Sequence, residues 1–151
     1  MTRPASTNFF LDNDDLRFQL SRVDWPTLVA LQEAAFADED AFKDPAEARA
    51  FYEDVLTNLG EFVAREISPH EDELDAQHPE LKDGEVIAPP RMKKILDQMQ
   101  ALGALSLTLP RRLGGSNVPI LVQNILVEMV TRADASVAAE FGFYSGIGQA
   151  L

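Results

Sequence analysis

The chain has 151 residues, with 13 Lys and Arg against 25 Asp and Glu, a net charge of −12, two His, no Cys and 46% hydrophobic residues. That length suits one domain with a true core, burying roughly 70% of the unfolded chain's surface. The composition excludes a disulfide scaffold, a Cys-ligated zinc site and a thiol nucleophile, and its acidity argues against nucleic acid, whose phosphates call for a basic stripe. No apolar run approaches the ~18 residues of a membrane span. Met1-Thr2-Arg3-Pro4-Ala5-Ser6 is not followed by an apolar signal-peptide core, so a soluble, cytoplasmic protein is expected.

Residues 1–44 read as an N-terminal extension with a short helix. Leu16, Phe18 and Leu20 alternate with Arg17 and Gln19, which is strand-like at period two. Trp25-Pro26 opens the short helix, with Pro26 suited to a first helical position and Leu28, Leu31, Ala35 and Phe36 on one side. Residues 38–85 then hold 16 acidic and four basic residues, while the rest of the chain is neutral. Such a block is expected to be a solvated face; a surface for a cationic partner is the alternative.

Residues 46–77 give the longest helical pattern. Tyr52, Val55, Leu56, Leu59, Val63 and Ile67 recur at steps of three and four, opposite Glu53, Asp54, Glu61, Arg65 and Glu66. Pro69 should kink or split this helix. Residues 78–90, with Pro79, Gly84, Pro89 and Pro90, read as a loop. Met92, Ile95, Leu96, Met99 and Leu102 form a second stripe that Gly103 stops. A short apolar connector, residues 104–110, and the turn Gly114-Gly115-Ser116-Asn117 lead to Pro119, which opens another helix. Only Gln123, Asn124 and Glu128 are polar in residues 120–130, so that helix should be central and buried. Asp134 can cap a last helix over 135–148. The expectation is an all-α antiparallel bundle of four substantial helices and a shorter one, with no strand beyond an edge piece.

Candidate chemistry is sparse. His70 and His78 both lie in the acidic block, and no Gly-x-Ser-x-Gly elbow accompanies them. A carboxylate-bridged metal bundle needs Glu-x-x-His on two helices. Asp75-Ala76-Gln77-His78 is a lone approximation, and Glu128 is the single carboxylate expected near the core of its helix. No His follows His70-Glu71 at the spacing of a metalloprotease. Gly114-Gly115 has no following Lys-Ser/Thr, so it is not a phosphate loop. The last helix carries the one unusual pattern. Ala138, Gly142 and Gly146 stand at i, i+4 and i+8 on one face, and each glycine costs about 1 kcal/mol relative to Ala. Close approach of a neighbouring helix would offset that cost. So would a ligand lying along the stripe, with Phe141, Phe143 and Tyr144 as apolar walls.

Several stretches together resemble the N-terminal helical domain of flavin-dependent acyl-CoA dehydrogenases. They are Phe62-Val63-Ala64-Arg65-Glu66-Ile67-Ser68-Pro69, then Leu102-Gly103-Ala104-Leu105-Ser106-Leu107-Thr108-Leu109-Pro110, then Leu113-Gly114-Gly115, Glu128, Arg132-Ala133-Asp134-Ala135-Ser136-Val137 and Ser145-Gly146. Asp15-Leu16-Arg17-Phe18-Gln19-Leu20 is similar to the extension of the larger, long-chain-type members. Leu113 replaces an aromatic residue common in the family, Ser116-Asn117-Val118-Pro119 stands where a further Gly is common, and Arg111-Arg112 replaces acidic residues.

The resemblance implies that residues 45–151 are the α-domain of an enzyme whose β-domain and C-terminal α-domain, with the FAD site and the catalytic Glu, lie beyond Leu151. It implies α,β-desaturation of an acyl-CoA substrate, hydride transfer to FAD, and an electron-transfer partner. No catalytic, cofactor-binding or metal residue is expected within the fragment. It carries acyl-chain contacts onto Ala138, Gly142 and Gly146, with Phe141, and leaves Asp134 as a helix cap and Glu128 as structural. A fragment ending at Leu151 is expected to be inactive, to hold no FAD, and to self-associate through its uncovered apolar helices as a homo-oligomer. A non-catalytic acidic helical interaction module is the alternative.

Overall fold

A computed structural model describes residues 6–34 and 39–150. In chain order it contains α1 (Asp14–Ser21), α2 (Trp25–Gln32), α3 (Pro45–Phe62), α4 (Glu71–Ala76), β1 (Glu80–Lys82), β2 (Glu85–Ile87), α5 (Pro90–Ala101), α6 (Ile120–Ala133) and α7 (Ala135–Ala150). The fold is all-α apart from the β1–β2 hairpin.

Leu16-Phe18-Leu20 is not a strand. Asn13 accepts from the backbone N–H groups of Asp15 and Leu16 and starts α1. Leu16 and Leu20, four apart, then share its buried side while Phe18 is exposed. A period of two and a period of four coincide at these two leucines, and the cap decides between them. In α2, Asp24 caps the helix and Trp25 and Val29 are buried. Leu31 is 76% exposed, so the buried side is not the one expected from Leu28 and Leu31; Ala35 and Phe36 lie outside the described residues.

The long helical segment does break at Pro69. Ser68 N–H reaches back to the Val63 carbonyl, so Val63–Ile67 is a π-helical turn, followed by a 3₁₀ turn over Ser68–His70 and then α4. Pro69 has no N–H to give to the Arg65 carbonyl, which removes one regular α-helical bond at this point. Residues 78–90 are more ordered than a loop: Asp83-Gly84 turns the chain and β1 pairs antiparallel with β2. All six strand residues are exposed, so this ribbon contributes little to the core.

The core is one continuous cluster. Tyr52, Leu56, Leu59, Val63 and Ile67 from the long segment meet Met92, Ile95 and Met99 of α5, Val122, Leu126, Met129 and Val130 of α6, and Val137 and Phe141 of α7. Phe10, Leu16, Leu20, Trp25 and Val29 belong to the same cluster, so the extension is packed into the domain. α6 is buried along one side, with Ile120 and Leu121 exposed. Residues 6–13 form a strap across α3. Asn8 Nδ2 donates to the Thr57 carbonyl at 2.9 Å and Phe9 N–H to the Gly60 carbonyl at 3.0 Å. Only a residue without a side chain admits this approach. A Cβ on Gly60 would sit 2.4 Å from Asn8 Oδ1 and 2.8 Å from the Phe10 nitrogen.

Candidate functional site

Asp134 starts α7 as the sequence predicts, accepting from Val137 N–H at 2.9 Å. From there the face of the helix is set by its neighbours: α6, α5 and a 3₁₀ turn over Ala104–Ser106. Val137, Ala138 and Phe141 are buried against them. Phe141 is fully enclosed and works as a core side chain. Gly142 is half-buried, and a Cβ built on it meets nothing within 4 Å among the described residues. Gly146 lies within α7, but its surroundings are outside what is described. Phe143 at 69%, Tyr144 at 52% and Ile147 at 60% exposed stand outside the core.

A groove of about 420 Å³ runs beside this helix, bounded by Val86 and Ile87 of the hairpin, by Ala88, by Lys93, Leu96, Asp97 and Gln100 of α5, and by Leu105 and Tyr144. At about 100° per residue, Gly142 and Tyr144 border the buried face of α7 on opposite sides. Thus Tyr144 reaches the groove and Gly142 does not. The small-residue stripe and the groove are separate surfaces of one helix.

The charged surface is organised elsewhere. Asp12, Asp14 and Asp15 at the start of α1 line a polar groove of about 470 Å³ with Glu128 and Arg132 of α6. Glu128 is exposed there and is not a core carboxylate. Among the described residues no group of three His, Asp or Glu is placed to hold a metal ion. No described helix is long and apolar enough to cross a membrane. Four carboxylates against the one Arg132 leave this polar groove with a net negative charge, which opposes a diphosphate.

Sequence reasoning missed a cluster of buried polar groups. The Glu33 side chain, 1% exposed, receives two bonds from the Arg111 guanidinium, at 2.6 and 2.8 Å. Arg111 also lies over the Phe42 ring, 5.1 Å from its centroid. Phe42, Phe51, Tyr52 and Trp25 pack as an aromatic group. Burial pushes the Tyr52 hydroxyl up to about 12, the Glu33 charge adds to this, and Arg111 opposes it. Tyr52 Oη, Trp25 Nε1 and both amide atoms of Gln123 meet no hydrogen-bond partner among the described residues. Glu33 could have been suspected, as a single acid within the otherwise uncharged stretch from Trp25 to Phe36.

Residues 47–151 match the family described as acyl-CoA dehydrogenase, N-terminal domain. A curated relative, the 3-methylmercaptopropionyl-CoA dehydrogenase of Ruegeria pomeroyi, is 30% identical over 123 residues, which are 81% of this chain and 19% of the relative. The chain therefore spans about a fifth of that relative's length. No solved structure matches.

Proposed function

Because this chain belongs to the acyl-CoA dehydrogenase family through its N-terminal domain, we propose that it forms one wall of the acyl-chain site in an enzyme that desaturates acyl-CoA thioesters. The observation that carries this reading is that a Cβ at Gly142 meets nothing among the described residues, on a helix whose exposed side also carries Phe143, Tyr144 and Ile147. A helix interior tolerates a glycine at a cost of about 1 kcal/mol, and room for a ligand chain offsets it. Ala138 sets the buried end of the stripe, Gly142 its open middle and Gly146 its continuation. Phe141 supports the stripe from inside the core. In this role the residues bind and orient; no proton or hydride passes through them.

FAD is the proposed cofactor of the longer protein. It would supply the hydride acceptor, and its binding groups would come from outside the described residues. Residues 1–151 alone are then inactive and flavin-free. An electron-transfer protein would reoxidise the flavin, the compartment would be the cytoplasm, and exposed Ile120, Phe143 and Ile147 would be covered by the rest of the protein or by a second copy.

Gly142→Leu in the full-length enzyme tests the site. Expected is a loss of kcat/KM for long acyl chains at least about 10-fold greater than for short ones, the size of one filled hydrophobic subsite. Equal losses across chain lengths refute the wall. Gel filtration of residues 1–151 with added FAD tests the division of labour. Expected is a colourless protein peak, and a stoichiometric yellow one refutes it.

A further inference from the structure

Two adjacent residues at the end of α2 hold both ends of a loop that lies 78 to 85 residues further along the chain. Glu33 takes Arg111 in a two-pronged pair. Gln32 Nε2 donates to the Asn117 carbonyl at 3.0 Å and to Asn117 Oδ1 at 3.2 Å, and Asn117 Nδ2 donates back to the Gln32 carbonyl at 3.3 Å. Between these anchors, residues 111–117 are held by short-range backbone bonds. Leu113 and Gly115 N–H go to the Pro110 carbonyl, Gly114 N–H to Arg111, and Asn117 N–H to Leu109. The tip residues Arg112, Leu113 and Gly114 are exposed, and Asn117 takes a left-handed φ of +53°.

We propose that Gln32 and Glu33 form a latch that couples docking of α2 to the conformation of residues 111–117. Neither partner is self-sufficient. An eight-residue helix is marginal in water, so α2 depends on burying Trp25 and Val29. The loop has no core side chain between Arg111 and Asn117. A buried carboxylate cannot keep its place once its guanidinium leaves, because the remaining charge is uncompensated. Both elements are therefore docked together or released together, which makes a two-state element. The loop continues through Val118 and Pro119 into α6, so the latch sits at the entrance to the central helix. Arg111 on the Phe42 ring extends the contact to the aromatic group around Tyr52.

Hydrogen exchange on the full-length protein tests the coupling with Glu33→Gln, Arg111→Gln and the double variant. Expected is acceleration of about 100-fold at the amides of Gly114, Gly115, Asn117, Leu28 and Glu33 together. Amides inside α3 and α6 should keep their rates, and the double variant should exceed neither single one. Unchanged loop rates, acceleration of the loop without α2, additive effects, or equal acceleration of every helix each overturn the latch. Gln32→Ala leaves the charge pair intact and guards against a variant that fails to fold. It is expected to accelerate Asn117, Val118 and Leu28 together about 10-fold, the effect of a lost hydrogen bond. No acceleration in Gln32→Ala overturns the proposal as well.

Discussion

Gly60→Ala sets two effects of opposite sign against each other. Gly60 is inside α3, where alanine is favoured by about 1 kcal/mol. If helix propensity decided the outcome, the variant would be stabilised. The added Cβ, however, would lie 2.4 Å from Asn8 Oδ1, 2.8 Å from the Phe10 nitrogen and 3.0 Å from Phe10 Cβ. Asn8 cannot swing aside freely: its Oδ1 accepts from Phe10 and Leu11 N–H while its Nδ2 is bound to Thr57. The Phe10 nitrogen is backbone. The strap must therefore lift. Lifting breaks the Asn8–Thr57 and Phe9–Gly60 bonds, at about 1 kcal/mol each. It also exposes Phe10, now 4% exposed, at about 2 kcal/mol. The net expectation is a loss of about 3 kcal/mol, a fall in Tm of about 6–12 °C for a domain of this size. Urea unfolding followed by circular dichroism reads the loss. Chymotrypsin gives an independent view, because Phe9, Phe10 and Leu11 become cleavable only when the strap is free. A variant about 1 kcal/mol more stable, with no new cleavage near the N-terminus, refutes the reasoning.

Tyr52→Phe removes a buried hydroxyl that meets no partner among the described residues, and should raise stability by about 1 kcal/mol in urea titration. A marked loss would show that the hydroxyl is bonded. Asp134→Ala removes the cap of α7 and should cost about 1 kcal/mol, measured the same way; Asp134→Asn should recover most of it. Glu73 titrates below its ordinary value, first because Arg91 donates to it at 2.7 Å. Its contribution is thus complete above the unfolded value of about 4.5 and fades as pH falls through the lower folded one. Glu73→Gln should flatten the acid limb of the urea midpoint between about pH 6 and pH 3. An acid limb identical to that of the parent chain counts against this pairing.

The helices that face the core on one side only were legible in the sequence. α5 is the clearest case, since Met92, Ile95 and Met99 are buried as their spacing predicts. Leu102 belongs to the same spacing yet is half-exposed, because the helix ends at Ala101 and Gly103 turns the chain at φ +72°. The split at Pro69 was legible too, because proline removes a donor wherever it sits. The hairpin was not. Alternation marks a strand with one buried face, and neither strand here has one. Its available mark was Asp83-Gly84, a turn pair that the surrounding prolines and charges obscured. Glu33 stood out as a lone acid, but its pairing with Arg111 could not be read, since no local rule links residues 78 apart.

The candidate site divides along the same line. Spacing establishes that Ala138, Gly142 and Gly146 share a face, but not which way the face turns. α7 is apolar almost all round, with Glu140 its one charge, so its own sequence prefers no side. Its orientation comes from α6, α5 and the 3₁₀ turn over Ala104–Ser106, which claim Val137, Ala138 and Phe141. That leaves Gly142 at one border of the buried face and Tyr144 at the other, with Phe143 and Ile147 outward. A helix so apolar on its open side is costly in water, and the cost falls when something apolar covers it. In the proposed role a ligand chain along Gly142 would cover one border, while the groove at Tyr144 would leave the other free for a different contact. Leucine at position 142 and alanine at 144 should therefore differ in kind. The first should discriminate acyl lengths; the second should leave that discrimination unchanged. If Tyr144→Ala shifts chain-length preference as strongly as Gly142→Leu, the two surfaces act as one site and the rotation of α7 differs from the one described.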